Sequence, residues 1–322
     1  MNLYIDKENL HSLMDQDSNS FFEICFNTIK NQLDVFMNFS KEDVVNDHKL
    51  LSFFQLMTSG VGNTKKEFLG IDIKPKRPLK SNTTNEFNKH ELSAIYLISD
   101  ESYDKLKNTG SVIIGKVGEE LDVFKQLFFV NDGNNEYFKE LRIGENEFSK
   151  WEDLQPYTTP ITEIIIVDPY IIKKPGSSDN IIDVNLINWI DILCDKTTTK
   201  VNIVIVFNPS HASYELSDVK SRITKKIKNK LGKSPNVTFI KTYREHDRSI
   251  ITNYLRITGN TFTYWNETGH KITNGKEIFI RSLACRTFYN NSYEVINDIQ
   301  NIIDEHPENI IGDKVSNYLN FN

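Results

Sequence analysis

The chain is poor in cysteine, has no long apolar run and carries no excess of positive charge, and each shortage removes a class of protein. Cys25, Cys194 and Cys285 are its only cysteines, far apart and without paired spacing. They suit neither a disulfide framework nor a zinc site and are expected as buried thiols. No stretch approaches the roughly 18 apolar residues of a membrane span. The opening Met1-Asn2-Leu3-Tyr4-Ile5-Asp6-Lys7-Glu8 lacks a basic segment followed by an apolar one, so a cytoplasmic protein is expected. A formal net charge of −6 excludes a chain that coats nucleic acid indiscriminately, because that mode needs many phosphates neutralised by Lys and Arg. A local basic patch remains allowed. With 39% hydrophobic and 25% charged residues over 322 positions, the composition is that of a globular protein long enough for two domains.

The C-terminal half reads clearly. Glu163–Asp168 is a continuous apolar run closed by Pro169, as expected of a strand buried on both faces. A helical pattern over Ile182–Asp195 follows, then a β-branched run, Lys200–Phe207, stopped by Asn208-Pro209. Leu216–Leu231 has one apolar stripe, and Asn236–Lys241 gives a third strand. Strands are expected over Ser249–Tyr254, Asn260–Trp265 and Glu277–Leu283, with a closing helix over Tyr289–Asp304. This order predicts an α/β fold, a mixed sheet flanked by helices, over residues 156–322. Residues 1–155 are expected to form a smaller α+β domain of unassigned role. It has helices over Phe21–Met37 and Lys41–Met57, a loop over Ser59–Asn88, strands at Ala94–Ile98 and Val112–Ile114, and a short helix at Glu101–Lys107. The boundary is placed in Trp151–Pro160, where Pro156, Thr158, Thr159 and Pro160 interrupt any periodicity.

The densest chemistry lies in Thr242–Phe262. His246, Arg248, Asn253 and Gly259 have the spacing H-x-R-x4-N-x6-G, continued by Asn260-Thr261-Phe262. This resembles the H-x-K-x4-D-x6-G-S-x-N motif of the phospholipase D superfamily, with Arg for Lys and Asn for Asp. The resemblance covers roughly residues 160–305. It implies that His246 holds the position of a nucleophile that forms a phosphohistidine, Arg248 that of a cation on the phosphoryl oxygens, and Asn253 that of the carboxylate backing the histidine. A neutral amide cannot stabilise an imidazolium as a carboxylate does, so phosphodiester binding with little or no turnover is expected, without metal or cofactor. Asp168-Pro169-Tyr170 is similar to non-catalytic relatives, such as the C-terminal domain of proteins carrying microtubule-interacting and trafficking helices.

A basic helix is the second candidate. Lys220, Arg222, Lys225, Lys226, Lys228 and Lys230, with Lys233 just beyond, form either a solvated charged face or a phosphate-binding track for DNA or RNA. Tyr243, Tyr254, Phe262, Tyr264 and Trp265 either stack bases or fill the core. Gly115 and Gly118 lack the pattern of a nucleotide-cradling loop, and Asp6, Glu8, Asp15 and Asp17 have no diagnostic metal-ligand spacing. Three functions stay open. One is a phosphodiester-binding module, for example in bacterial antiviral defence or nucleic-acid processing. Another is a metal-independent nuclease joining two His246 side chains across a homodimer. The third is a protein-interaction module whose N-terminal domain supplies the partner surface.

Overall fold

The computed structural model describes residues 1–15, 20–37, 41–58, 66–68, 94–97, 113–115, 130–131, 134–135, 137–143, 147–173, 180–244, 248–266, 268, 270 and 277–321. The chain divides into two units, Met1–Tyr137 with Ser282–Tyr289, and Phe138–Arg281 with Asn290–Asn322.

In the first unit, β1 (Asn2–Ile5), β2 (Asp34–Met37), β3 (Lys66–Phe68), β4 (Ala94–Leu97) and β5 (Ile113–Gly115) form one sheet in the order β3-β2-β1-β4-β5. All its pairings are parallel. Parallel neighbours require crossover connections, and α1 (Lys7–Met14), α2 (Ser20–Asn31), α3 (Lys41–Asn46) and α4 (His48–Thr58) lie in them. The unit is therefore α/β, which corrects the expected α+β arrangement. The error began at Phe21–Met37, where helical spacing runs through Ile29, Leu33 and Phe36. Leu33, Val35 and Met37 also alternate at the period of a strand, and all three are buried. Pairing of Val35 with Leu3 in β1 decides in favour of the strand. Most of Ser59–Asn88 and all of Glu101–Lys107 lie outside the described residues. A two-residue pair, β6 (Val130–Asn131) with β7 (Asn134–Asn135), completes the unit's described strands.

The second unit is built on an eight-stranded mixed sheet. Its strands are β8 (Phe138–Arg142), β9 (Glu163–Val167), β10 (Asn202–Phe207), β11 (Asn236–Lys241), β12 (Ser249–Thr252), β13 (Leu255–Gly259), β14 (Glu277–Ser282) and β15 (Ile310–Gly312), in the order β15-β11-β10-β9-β12-β13-β14-β8. The three apolar runs expected to lie side by side do so, as parallel β9, β10 and β11. Every residue of β9 and β10 is buried. At about 1.5–3 kcal/mol per large aliphatic side chain, these two strands are a principal source of the unit's stability.

A π-type turn at Asp183–Ile187 leads into α5 (Asn188–Leu193), and α6 (Leu216–Leu231) ends at Gly232 in the left-handed conformation (φ 69°). α7 (Arg286–Glu305) buries Ile296, Ile299, Ile302 and Ile303. The strand expected over Asn260–Trp265 is corrected: β12 pairs with β13, Leu255–Gly259, which follows it directly. The sequence pattern also did not reveal β8 and β15. Both are edge strands, half exposed, so no continuous apolar run marks them. Because β8 pairs with β14, the second unit already begins at Phe138, ahead of the 151–160 stretch.

Candidate functional site

β12 runs antiparallel to β9 with Ser249 opposite Val167, so Arg248 falls beside Asp168, just past the end of β9. The chain turns sharply there. The backbone N–H of Tyr170 donates to Asp168 Oδ1 at 2.9 Å, an Asx turn that fixes the carboxylate under the strand end. Arg248 Nε lies 3.4 Å from the same oxygen, and its guanidinium carbon sits 5.1 Å from the centre of the Tyr170 ring. The Tyr170 ring also stacks on His211 with centroids 4.4 Å apart, and Lys173 Nζ lies 5.6 Å from its centre. His211 comes from the short turn Pro209–His211 immediately after β10. The group therefore assembles beyond the carboxyl ends of parallel strands, where open α/β sheets place their ligands.

The electrostatics follow from burial. Asp168 is only 1% exposed, and loss of solvent pushes its carboxyl above the usual range, opposed by the Tyr170 N–H, by the charge of Arg248 and by the nearby Phe262 N–H. Among the described residues, Asp168 Oδ2 and the Tyr264 hydroxyl are buried and in no geometric hydrogen bond. Burial raises the Tyr264 phenol, and the nearby Asp168 charge raises it further. Gly259 is explained here, because a Cβ at that position would lie 3.0 Å from the Tyr264 hydroxyl. A side chain there would force the ring to shift.

The shortest contact of Arg248 with Asp168 is through Nε, and its two terminal nitrogens make no hydrogen bond among the described residues. Those nitrogens form the planar fork that matches two oxygens of a phosphate or carboxylate. The side chain is 28% exposed, so the fork is within reach of solvent.

The other sequence-level candidates separate. His246 lies outside the described residues, as do Glu245 and Asp247. Asn253 stands at the far end of β12, about 16 Å of strand from Arg248 at roughly 3.3 Å per residue. Its Oδ1 accepts the N–H groups of Thr162 (2.8 Å) and Glu163 (3.1 Å). Its Nδ2 donates to Thr162 Oγ1 (3.2 Å) and the Tyr318 hydroxyl (2.6 Å). Glu163 beside it is fully buried. It accepts from Ser316 Oγ, from the Asn317 N–H (3.0 Å) and from Asn202 Nδ2 (3.1 Å), and burial pushes its carboxyl up to about 8. This end of the sheet is a closed polar clasp on the C-terminal segment.

The basic helix α6 is largely neutralised by the protein's own carboxylates. Lys220 pairs with Asp313, Arg222 with Asp183 and Asp218, Lys226 with Asp191, and Lys230 with Asp191 and Asp195. Lys233 reaches the Thr198 carbonyl. Lys225 and Lys228 are exposed, with no carboxylate partner among the described residues. Tyr254, Phe262, Tyr264 and Trp265 are buried. The last three join Phe148 and Trp189 in one aromatic cluster, and the Trp189 indole N–H donates to the Phe262 carbonyl. Tyr243 is the exception, at 72% exposure.

Cys194 is buried, with its thiol pushed up to about 12 by loss of solvent. Cys285 is only half-buried, which corrects the expectation for it; the Cys25 side chain lies outside the described residues. Asp6 caps α1 by accepting the Asn9 N–H at 2.8 Å, Asp15 pairs with Lys49, and Asp17 lies outside the described residues. Among the described residues no three His, Cys, Asp or Glu side chains are grouped to hold a metal ion, and no helix is long and apolar enough to cross a membrane.

Sequence reasoning missed His211 and Lys173. Their one signal was position, since each follows closely on the end of a parallel strand.

No family model and no curated protein matches the chain. Among solved structures it is similar to the archaeal chromatin protein TrmBL2, described as showing a novel mode of DNA binding. The identity is 14% and the TM-score 0.26, over 56% of this chain and 60% of that one. The chain thus spans less than two thirds of that protein's length.

Proposed function

We propose that the second unit is a phospholipase D-like module that binds phosphodiester groups, of nucleic acid or of another ligand, with little or no hydrolysis. The observation that supports this reading best is the state of Arg248. A buried carboxylate pairs with its Nε, an aromatic ring supports its plane, and both terminal nitrogens are left without a hydrogen bond among the described residues. Such a guanidinium is already oriented for a bidentate oxyanion, so less rotamer entropy is lost on binding. Turnover is not part of the proposal, because Asn253 is committed to the clasp at the opposite end of β12.

The test is 31P NMR of dimethyl phosphate titrated with the full chain. Line broadening is expected with the native protein and should disappear with Arg248→Ala, while Arg248→Lys retains only part of it because the fork is lost. Equal broadening by Arg248→Ala would overturn the reading. Hydrolysis of bis(p-nitrophenyl) phosphate in EDTA should be slight and absent in His246→Ala. Robust cleavage that needs magnesium and ignores His246 would place an active site elsewhere.

A further inference from the structure

We infer that the phosphodiester held at Arg248 belongs to a single-stranded nucleic acid and that Tyr243 is the platform for one of its bases. This rests on the oxyanion reading of Arg248 and adds a second contact. Tyr243 follows β11 and is 72% exposed, with no ring partner among the described residues.

Its exposure is built in, because the chain on either side is anchored. The Thr242 N–H donates to the Phe207 carbonyl at 3.0 Å, the Arg244 N–H donates to Thr242 Oγ1 at 3.1 Å, and the Arg244 guanidinium pairs with Glu305. A tied-down turn thus presents a large apolar ring to water, as a preorganised stacking surface does.

The geometry fits a strand of nucleotides. Val167, Val206 and Ile240 are level across β9, β10 and β11, so Tyr243 and Arg248 rise from the same edge of the sheet. Three strand spacings, roughly 14 Å, separate the end of β11 from the start of β12 laterally. About four stacked nucleotides at about 3.4 Å each cover that span. A base in a duplex already has both faces stacked, so only a splayed, single-stranded base can use the Tyr243 ring.

Fluorescence anisotropy with labelled short oligothymidylate, oligouridylate and a duplex of equal length tests the inference on the full chain. Both single strands should bind more tightly than the duplex. Tyr243→Ala should weaken single-strand binding by about ten- to a hundred-fold, and Tyr243→Phe should retain it. Stacking releases no counterions, so Tyr243→Ala should leave the salt slope unchanged, while Arg248→Ala should reduce it by about one. Native affinity in Tyr243→Ala, or a preference for the duplex, would overturn the single-strand platform while dimethyl phosphate still broadens. Loss of dimethyl phosphate binding from the native protein would instead remove the oxyanion reading beneath it.

Discussion

The two ends of β12 lie in the same sheet and belong to the same motif-like run, yet they are finished in opposite ways. At the Asn253 end the amide makes four hydrogen bonds, and Glu163 beside it accepts three. At the Arg248 end fewer contacts are made among the described residues. There Asp168 Oδ2 and the Tyr264 hydroxyl are buried without a hydrogen-bond partner, and the Arg248 side chain is 28% exposed. Buried polar groups are nearly always satisfied in folded proteins. On the proposed reading, the cluster left open at the Arg248 end is the binding place, and the saturated pair at the Asn253 end is a fastening.

The comparison breaks most visibly at the clasp. Asn253→Ala leaves two buried backbone N–H groups, those of Thr162 and Glu163, without acceptors, at about 1–3 kcal/mol each. A loss of about 3–5 kcal/mol is expected, read as a lower urea midpoint, with dimethyl phosphate binding by the folded protein unchanged. A midpoint equal to the native one would show that the clasp holds nothing.

Glu163 sharpens the same contrast through pH. Its folded pKa, about 8, lies above its ordinary value of 4.5, so the unfolded chain releases this proton first as pH rises. Its contribution is fully present below about 4.5, declines up to about 8 and then levels off, a change on the order of a few kcal/mol. Chemical denaturation of Glu163→Gln should show a flatter dependence over that window than the native protein. Identical profiles would remove Glu163 as the cause.

At the open end, Arg248→Ala should reduce phosphodiester affinity by about ten- to a hundred-fold, the range for a hydrogen bond to a charged group. Calorimetry with an oligonucleotide reads this directly. The smallest effect is expected on α6. Exposed ion pairs contribute about 0–1 kcal/mol, so Lys226→Ala should shift stability by less than about 1 kcal/mol. Lys225→Glu with Lys228→Glu should weaken oligonucleotide binding less than Arg248→Ala does. A larger loss in that double variant would return the binding track to the helix.

Where one element had one dominant signal, it was legible in the sequence. β9, β10 and β11 are continuous apolar runs too short for helices, closed by Pro169, Asn208-Pro209 and Thr242, and α6 has a clean apolar stripe ending at a glycine. Legibility failed where two periods coincided, as at Leu33–Met37, and where an edge strand buries too little to leave a pattern, as at Phe138–Arg142 and Ile310–Gly312. Gly312 carried a hidden signal. Its φ is 110°, and a Cβ there would stand 2.2 Å from the Val237 carbonyl oxygen, so only glycine closes this edge.

For the site, the spacing from His246 to Gly259 singled out Arg248 and Asn253 alike, and nothing in it distinguished a side chain that pairs with Asp168 from one that ties down the C-terminal segment. The sequence by itself determined the central strands, the crossovers between β9, β10 and β11 and the residue types at the strand ends, because local periodicity and turn chemistry act over a few residues. Only the tertiary structure decided that Arg248 meets Asp168, Tyr170 and His211 while Asn253 meets Tyr318. Those meetings depend on antiparallel register with β9, which sets Arg248 beside the end of that strand and Asn253, five residues on, beside its start.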